Sequence, residues 1–337
     1  MSENLANDLR ALTELTGEVP EIIIAYCRKH SSLFFLVAFS LACLVISTAG
    51  LFLDHRVING EHAWVKPFKF SCSLTIYGLT LFWFSHYLTK HKRFFKRVCQ
   101  ASAIGAGIEL PSIMVQVVRG TTSHFNYATT FDHVMAMITV SAIMPVAFGV
   151  VALFIMLLRE ERLPHVLGLS LRWGVFITII GFVPGIIMVL PERMQEMIQF
   201  CSQVNGHSVG LEGGGPGLPF LGWSTVAGDL RVAHFLGIHG LQALPFFGLF
   251  LESFATRLTL LRQKLMVWNF GFLYLSFVLV LTWQALCTES IVAPSLGTII
   301  VALSVLLVCV LAAACILWLP STVAPAFVTA TADDRLE

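Results

Sequence analysis

The chain contains 337 residues, of which 56% are hydrophobic and only 12% are charged. Soluble domains carry about 25% charged residues. The composition therefore excludes an ordinary soluble protein, because a core of this length could not bury so much apolar surface. The net charge of +1 provides no basic surface, and so no nucleic-acid partner is expected. An integral membrane protein in contact with membrane lipids is predicted instead.

Residues 1–32 precede the first long apolar run. Leu5, Leu9 and Leu12 fall on one helical face in this segment. The spacing predicts a cytoplasmic amphipathic segment lying on the membrane surface, and docking of this segment to a partner is the alternative. The acidic residues among the first positions differ from the basic start of a secretory signal, so no such signal is expected.

Eight apolar runs follow, each close to the roughly 20 helical residues that cross a bilayer core of about 30 Å. They cover 33–53, 68–88, 98–118, 134–157, 167–190, 231–252, 265–286 and 293–319. The pattern predicts an all-α, polytopic membrane protein with about eight transmembrane helices. In this interpretation residues 33–319 form the transmembrane domain, with a long outer loop at 191–230, and residues 320–337 form a cytoplasmic tail.

The distribution of Lys and Arg predicts the orientation of the helices. The connection 89–97 holds Lys90, Lys92, Arg93, Lys96 and Arg97, and short connections rich in cations face the cytoplasm. Both termini and the connections 158–166 and 253–264 then lie inside as well. Of the 21 Lys and Arg residues, all but six fall inside; the six are Arg56, Lys66, Lys69, Arg119, Arg193 and Arg231.

A first polar stretch, H-A-W-V-K-P-F-K-F, leads from His62 into the second apolar run. Trp64 is typical of a membrane interface, and Lys66 and Lys69 can extend towards water from there. The alternative is that the two ammonium groups attract an anionic substrate or a carboxylate from another helix.

A second polar stretch, from Ile108 to Asn126, places Glu109 about nine residues, or roughly 14 Å, inside the third run. An ionisable residue at such a depth usually marks a functional site or a buried pair. Pro111 predicts a kink two residues later. The other polar residues lie on the same face or at the following helix ends, and they are Gln116, Arg119, Ser123, His124, Asn126, Asp132 and His133.

The outer loop 191–230 contains His207 and a glycine-rich segment around Gly213, Gly214, Gly215 and Gly217. No strand pattern precedes the glycines, which argues against a phosphate-binding loop. A lid over an outward-facing site and a plain flexible loop both stay open. Cys201 in this loop and Cys287 are the two cysteines expected outside, where a disulfide between them is a hypothesis.

A third polar stretch runs from Gly228 to Gln242. Asp229 is a candidate helix cap, with Arg231 beside it, and His239 lies about eight residues, or roughly 12 Å, inside the sixth run. This depth matches that of Glu109, so the two side chains are predicted to lie near each other, with Gln242 beneath them. His234 and His239 are five residues apart and cannot bind one ion from a single helix face.

These three stretches resemble a family of bacterial multi-pass membrane proteins that has no established activity. The similar segments are W-x-K-P-x-K-F, R-G-T-T-S-H-F-N and G-D-L-R-V-x-H-F-x-G-x-H. They cover most of the chain between the second and sixth runs. The resemblance implies a location in a bacterial inner membrane and does not imply a mechanism.

The polar residues define two sets of candidates in the outer half of the bundle. The catalytic candidates are Glu109, Arg119, His124, Asp132 and His239. The candidates for binding an unidentified small-molecule substrate are Lys66, Lys69, Gln116, Asn126, Asp229, Arg231 and Gln242.

Four classes of function are compatible with these residues. The first is an oxidoreductase that binds haem or a transition metal (Cu, Fe or Zn) through His124, His207, His234 and His239, since histidine is a common ligand for these groups. The second is a proton-coupled transporter in which Glu109 and His239 relay protons.

The third class is a lipid-modifying enzyme without a metal, in which His124 or His239 acts as general base and Glu109 or Asp132 orients it. The fourth is a structural subunit whose polar residues only form hydrogen bonds between helices. Neither G-x-S-x-G nor H-E-x-x-H occurs in the chain, and so the sequence favours no particular hydrolase chemistry.

Overall fold

The fold is described from a computed structural model, which covers residues 30–124, 126–190, 204–211 and 215–318. Nine α-helices and five very short strands lie in this part of the chain. The chain divides into two compact units, one ending at Met156 and one beginning at Leu157. Residues 1–29 of the predicted N-terminal segment, the C-terminal tail, Cys201, Arg193, Gly213 and Gly214 lie outside the described residues, while Ser31 and Ser32 of that segment belong to the first helix.

The first unit contains four helices: α1 (Ser31–Leu53), α2 (Val65–Phe84), α3 (Lys92–Val118) and most of α4 (Thr130–Arg159). The short strands β1 (Val57–Ile58) and β2 (Glu61–His62) form an antiparallel hairpin between α1 and α2. Both α2 and α3 pack against α1. Gly105 of α3 permits a close approach to α4, because a Cβ atom there would lie 2.5 Å from the carbonyl oxygen of Ala142.

The second unit contains α5 (His165–Val189), α6 (Leu230–Ile238), α7 (Gly240–Phe254), α8 (Leu260–Leu286) and α9 (Leu296–Trp318). The strands β3 (Val204–Asn205), β4 (Ser208–Val209) and β5 (Gly228–Asp229) form a small antiparallel sheet in the order β3-β4-β5. Val209 packs with Ile187, Leu230 and Ala285 in one apolar cluster. The described part of the loop 191–230 is therefore folded onto the ends of α5, α6 and α8.

Six of the described helices are long and apolar enough to cross a membrane, and the pair α6–α7 raises this number to seven if it forms one bent span. The chain is therefore a helical, multi-pass membrane protein. Each of the eight predicted runs is helical, and the helix ends differ from the predicted ones by a few residues. Helix α2, which carries Lys66 and Lys69, is not among the six.

The sixth predicted run is helical but is not one uninterrupted helix, and the single span predicted over 231–252 stays a prediction in the form of a bent pair. Helices α6 and α7 meet at His239 with a bend of 42°. Gly240 begins α7, and Pro245 inside α7 cannot donate a backbone hydrogen bond to the preceding turn. In contrast, α3 continues through Pro111 without interruption.

Side chains from neighbouring helices bind the backbone carbonyl groups near this bend. The Tyr274 hydroxyl donates a hydrogen bond of 2.8 Å to the carbonyl oxygen of Leu236. The Thr178 hydroxyl donates a longer one, of 3.3 Å, to the carbonyl oxygen of Ile238. Because unsatisfied backbone groups are costly inside a membrane, these hydroxyls stabilise the broken helix.

Glycines bring α5 and α6 into direct backbone contact. A Cβ atom built on Gly237 would lie 2.3 Å from the Cα atom of Gly181, and one on Gly181 would lie 2.5 Å from the carbonyl carbon of Gly237. Small residues allow this close packing of helices in membranes. This close contact between the two helices fixes α6, and the bend that follows it, against α5.

Candidate functional site

Glu109 lies within α3 and is 1% exposed. Its Oε2 atom has no hydrogen-bond partner in the part of the chain that the structure describes. Gln116, seven residues later on the same helix face, is also fully buried. The structure therefore confirms that the carboxyl group predicted from the sequence is buried, and it leaves one carboxyl oxygen available for a proton or a ligand.

Lys66 stands in the first turn of α2 and brings a positive charge to this buried carboxyl group. The ammonium group of Lys66 is close enough to Glu109 and to His124 for its charge to act on both. Lys69, the second lysine of the stretch, instead lies 3.6 Å from the carboxylate of Glu61. The two lysines thus differ, since Lys69 forms a half-exposed ion pair while Lys66 interacts with the buried polar residues.

His124 lies in the connection between α3 and α4 and completes this group. Its ring lies 5.7 Å from the ring of Phe70, which stands one turn after Lys66 on α2. The Ser123 hydroxyl is 3.0 Å from Nδ1 of His124. Burial, and after it the charge of Lys66, lowers the pKa of His124 well below its ordinary value. The imidazole is therefore neutral at pH 7, and it can accept a proton only at a cost.

Asp132 and Arg119, two predicted catalytic residues, belong to a separate and fully bonded network. Oδ1 of Asp132 accepts hydrogen bonds from Gln116 (2.9 Å) and from Arg119 (2.5 Å). Its Oδ2 atom accepts one of 2.6 Å from Thr129, whose hydroxyl in turn accepts one from the backbone N–H of Asp132. These bonds cap α4 and join it to α3. They account for both residues structurally, and a catalytic role stays a prediction.

Asn126, a predicted substrate-binding residue, holds the connection between α3 and α4. Its Nδ2 atom donates a hydrogen bond of 2.7 Å to the Thr121 hydroxyl. Its Oδ1 atom accepts one of 3.2 Å from the backbone N–H of Ala128. These contacts fix the loop that carries His124.

Two contacts around this site were not predicted from the sequence. Asp54 accepts hydrogen bonds from Nε1 of Trp64 (2.7 Å) and from Arg56, and so the tryptophan forms an internal contact, while its position at a membrane interface stays a prediction. Tyr77 of α2 lies 3.2 Å from the Ser102 hydroxyl of α3. Tyr77 stands eleven residues, or about three turns, after Lys66. This spacing puts the two residues on one face of α2, and it could have identified Tyr77 as a neighbour of the site.

The histidines of the second unit contact backbone and amide groups. Nδ1 of His234 lies 2.8 Å from the carbonyl oxygen of Gly181. Nδ1 of His239, at the bend, lies 3.2 Å from Oε1 of Gln242. Gln242, which was predicted to lie beneath His239, therefore contacts it. Glu109 belongs to the first unit and His239 to the second, and their predicted proximity stays a prediction.

Asp229 caps α6, as predicted from the sequence. Its Oδ1 atom accepts a hydrogen bond of 3.0 Å from the backbone N–H of Arg231, and its Oδ2 atom accepts one of 2.9 Å from the backbone N–H of Ser224. The Arg231 side chain binds Asp229 (2.7 Å) and the carbonyl oxygen of Gly222. This cluster supports the outer loop, and substrate binding by Asp229 or Arg231 stays a prediction.

The predicted metal ligands do not form a recognisable ligand set in the described residues. No group of three or more His, Cys, Asp or Glu side chains in that part of the chain could hold a metal ion. His207 lies at the turn between β3 and β4, where its carbonyl oxygen accepts a hydrogen bond from the backbone N–H of Leu230. A metal or haem group bound through His124, His207, His234 and His239 stays a prediction from sequence.

Comparison of the chain with protein-family models, with curated proteins and with solved structures gives no match. Its function must therefore be inferred from its own residues.

Proposed function

We propose that this protein is a proton-coupled transporter of a small anion, in which Glu109 binds the proton and Lys66 binds the anion. The observation that carries the proposal is the Oε2 atom of Glu109, which is buried in a membrane-spanning helix without a hydrogen-bond partner among the described residues. Inside a membrane such carboxyl groups mark ion or proton pathways.

The charge of Lys66 supplies the coupling in this proposal. An ionised Glu109 is balanced by the nearby Lys66 ammonium group. Protonation of Glu109 removes this negative charge near Lys66, and the ammonium group then attracts an anion from outside more strongly. Proton and anion therefore favour the binding of each other, as linkage requires. The neutral imidazole of His124, half-buried in the α3–α4 connection, passes protons between water and Glu109.

The membrane topology is part of the proposal. We propose eight crossings, formed by α1 to α5, the bent pair α6–α7, α8 and α9, with both termini in the cytoplasm. The Lys- and Arg-rich connection at 89–97 and the connections 158–166 and 253–264 support this orientation. The resemblance of the three polar stretches supports a location in a bacterial inner membrane, and in this orientation the Glu109 site opens to the outer side.

Proton binding can be tested without knowledge of the substrate. The purified protein is reconstituted in liposomes adsorbed on a solid-supported membrane, and rapid pH jumps are applied while transient currents are recorded. We expect a current in the wild-type protein from proton binding within the membrane. Glu109→Gln keeps the shape of the side chain but cannot ionise, and we expect it to reduce this current to the level of protein-free liposomes.

Glu61→Gln is the matched control, because it makes the same change in a half-exposed carboxylate of the same unit that pairs with Lys69. We expect the control to retain the current. Both variants must elute as single species of wild-type size. A full current in Glu109→Gln would overturn the proposal, as would equal losses in the two variants.

A further inference from the structure

A cavity of about 260 Å³ lies in the second unit, where α5 and α8 begin. Its charged wall is formed by Arg172 and Lys264, with His165 beside them and Glu161 at the rim, while Leu169 and Trp268 contribute apolar surface. Without His165, the wall carries a net charge of +1, because Arg172 and Lys264 are positive and Glu161 is negative.

Arg172 is held in place by backbone groups instead of by a carboxylate. Its Nε atom donates a hydrogen bond of 3.0 Å to the carbonyl oxygen of Leu157, and its Nη2 atom donates one of 3.2 Å to that of Glu160. Arginine has five N–H donors, and these two bonds leave three. The guanidinium group therefore retains its charge and has donors to offer a ligand in the cavity.

Lys264, in the second turn of α8, is the other cation. Among the described residues neither Lys264 nor Arg172 forms an ion pair with a carboxylate. The nearby Glu252 is occupied, since its Oε1 atom accepts hydrogen bonds from the backbone N–H groups of Val166 and Leu167. A ligand with an anionic group would complete the cavity.

The position of the cavity along the helices indicates which kind of anion it binds. Arg172 stands seven residues after the start of α5, or about 10 Å along the helix. Trp268 contacts Trp173 edge-to-face at 5.1 Å between ring centroids, and tryptophan marks the level of lipid headgroups. From Trp268 an exposed apolar stripe continues along α8 through Phe272 and Leu279, on which an acyl chain can lie.

We propose that this cavity binds the phosphate group of an anionic phospholipid, between Arg172 and Lys264, with an acyl chain covering Trp268 and Phe272. Basic cavities between membrane helices recognise lipid headgroups by this chemistry. The site is separate from Glu109 and does not depend on the transport proposal.

Native mass spectrometry of the full-length protein in detergent tests the assignment. The probes are phosphatidylglycerol, phosphatidylcholine and inorganic phosphate, each added in a titration. We expect one phosphatidylglycerol molecule to bind more tightly than the rest. Lys264→Gln removes one cation from the cavity, and we expect about fivefold weaker binding of this molecule. Lys264→Arg retains the charge and is expected to restore binding.

Arg257→Gln is the matched control, because it removes an exposed cation from the α7–α8 connection outside the cavity. We expect wild-type binding of phosphatidylglycerol in this variant. Equal losses in Lys264→Gln and Arg257→Gln would overturn the site, since they would show only a general attraction to negative charge. Binding of inorganic phosphate without binding of the lipid would overturn the assignment to a phospholipid.

Discussion

The contact between α5 and α6 leads to a strong prediction about stability. Gly237→Ala would place a Cβ atom 2.3 Å from the Cα atom of Gly181, whereas ordinary van der Waals contact begins at 3.4 Å. The helices must therefore separate by about 1 Å. Overpacking of this kind costs about 3 kcal/mol when the opposing atom is backbone and cannot rotate away. The helical preference of alanine offsets about 1 kcal/mol, and a net loss of about 2 kcal/mol is expected.

Gly107→Ala in α3 is the control for this prediction. A Cβ atom at Gly107 would lie 3.6 Å from the ring of Phe35, which is an ordinary contact, and so only the gain in helical preference is expected. Unfolding in mixed detergent micelles, followed by tryptophan fluorescence, measures both variants. Gly237→Ala should unfold at lower denaturant than the wild type and Gly107→Ala at equal or higher denaturant. Equal stability of the two variants would refute the backbone contact.

Two further predictions concern single hydrogen bonds. Tyr274→Phe removes the donor to the carbonyl oxygen of Leu236 at the bend, and it is expected to lower the free energy of unfolding by about 1 to 2 kcal/mol. Tyr127→Phe is the control, because Tyr127 is exposed, and this change should not alter the free energy of unfolding. Equal effects of the two substitutions would contradict the role of Tyr274. Asp54 has its pKa held well below the ordinary value of 3.8 by hydrogen bonds from Arg56 and then from Trp64. Its contribution is therefore present above pH 4 and lost as the pH falls further. The difference in melting temperature between wild type and Asp54→Asn should accordingly shrink steadily as the pH falls below about 4, and a difference of unchanged size in acid would contradict the assignment.

The helices were predictable because lipid imposes a simple requirement on composition. Each apolar run is helical, the sixth as two helices, since a backbone in hydrocarbon must bond to itself. The position of the break, at His239, was not predicted, because hydropathy averages over about 20 residues and does not show where an apolar segment containing Gly240 and Pro245 bends. Helix α3 continues past Pro111, and the kink expected there stays a prediction. Proline alone therefore does not identify a helix break. The side chains that bind the backbone groups near a break, such as Tyr274, have to be known as well.

The burial of Glu109 was predictable from its depth in the third run, but its surroundings were not. Lys66 and Lys69 have the same sequence context, and only the fold separates the residue that acts on Glu109 from the one that pairs with Glu61. Arg119 and Asp132 were interpreted as catalytic because they are polar and near a helix end. Their bonds to each other show that such residues also serve to cap and join helices.

The capping of α5 by Glu252 has a consequence for biogenesis. The carboxylate that accepts hydrogen bonds from the first turn of α5 stands 86 residues further along the chain than Val166. A ribosome adds about 5 to 20 residues per second, and so α5 is made several seconds or more before its cap exists. During that interval Glu252 cannot accept these hydrogen bonds, and water or lipid headgroups can take its place. The second unit can therefore reach its final arrangement only after α7 has been synthesised, and chains truncated before Glu252 should expose an incomplete α5 to membrane quality control.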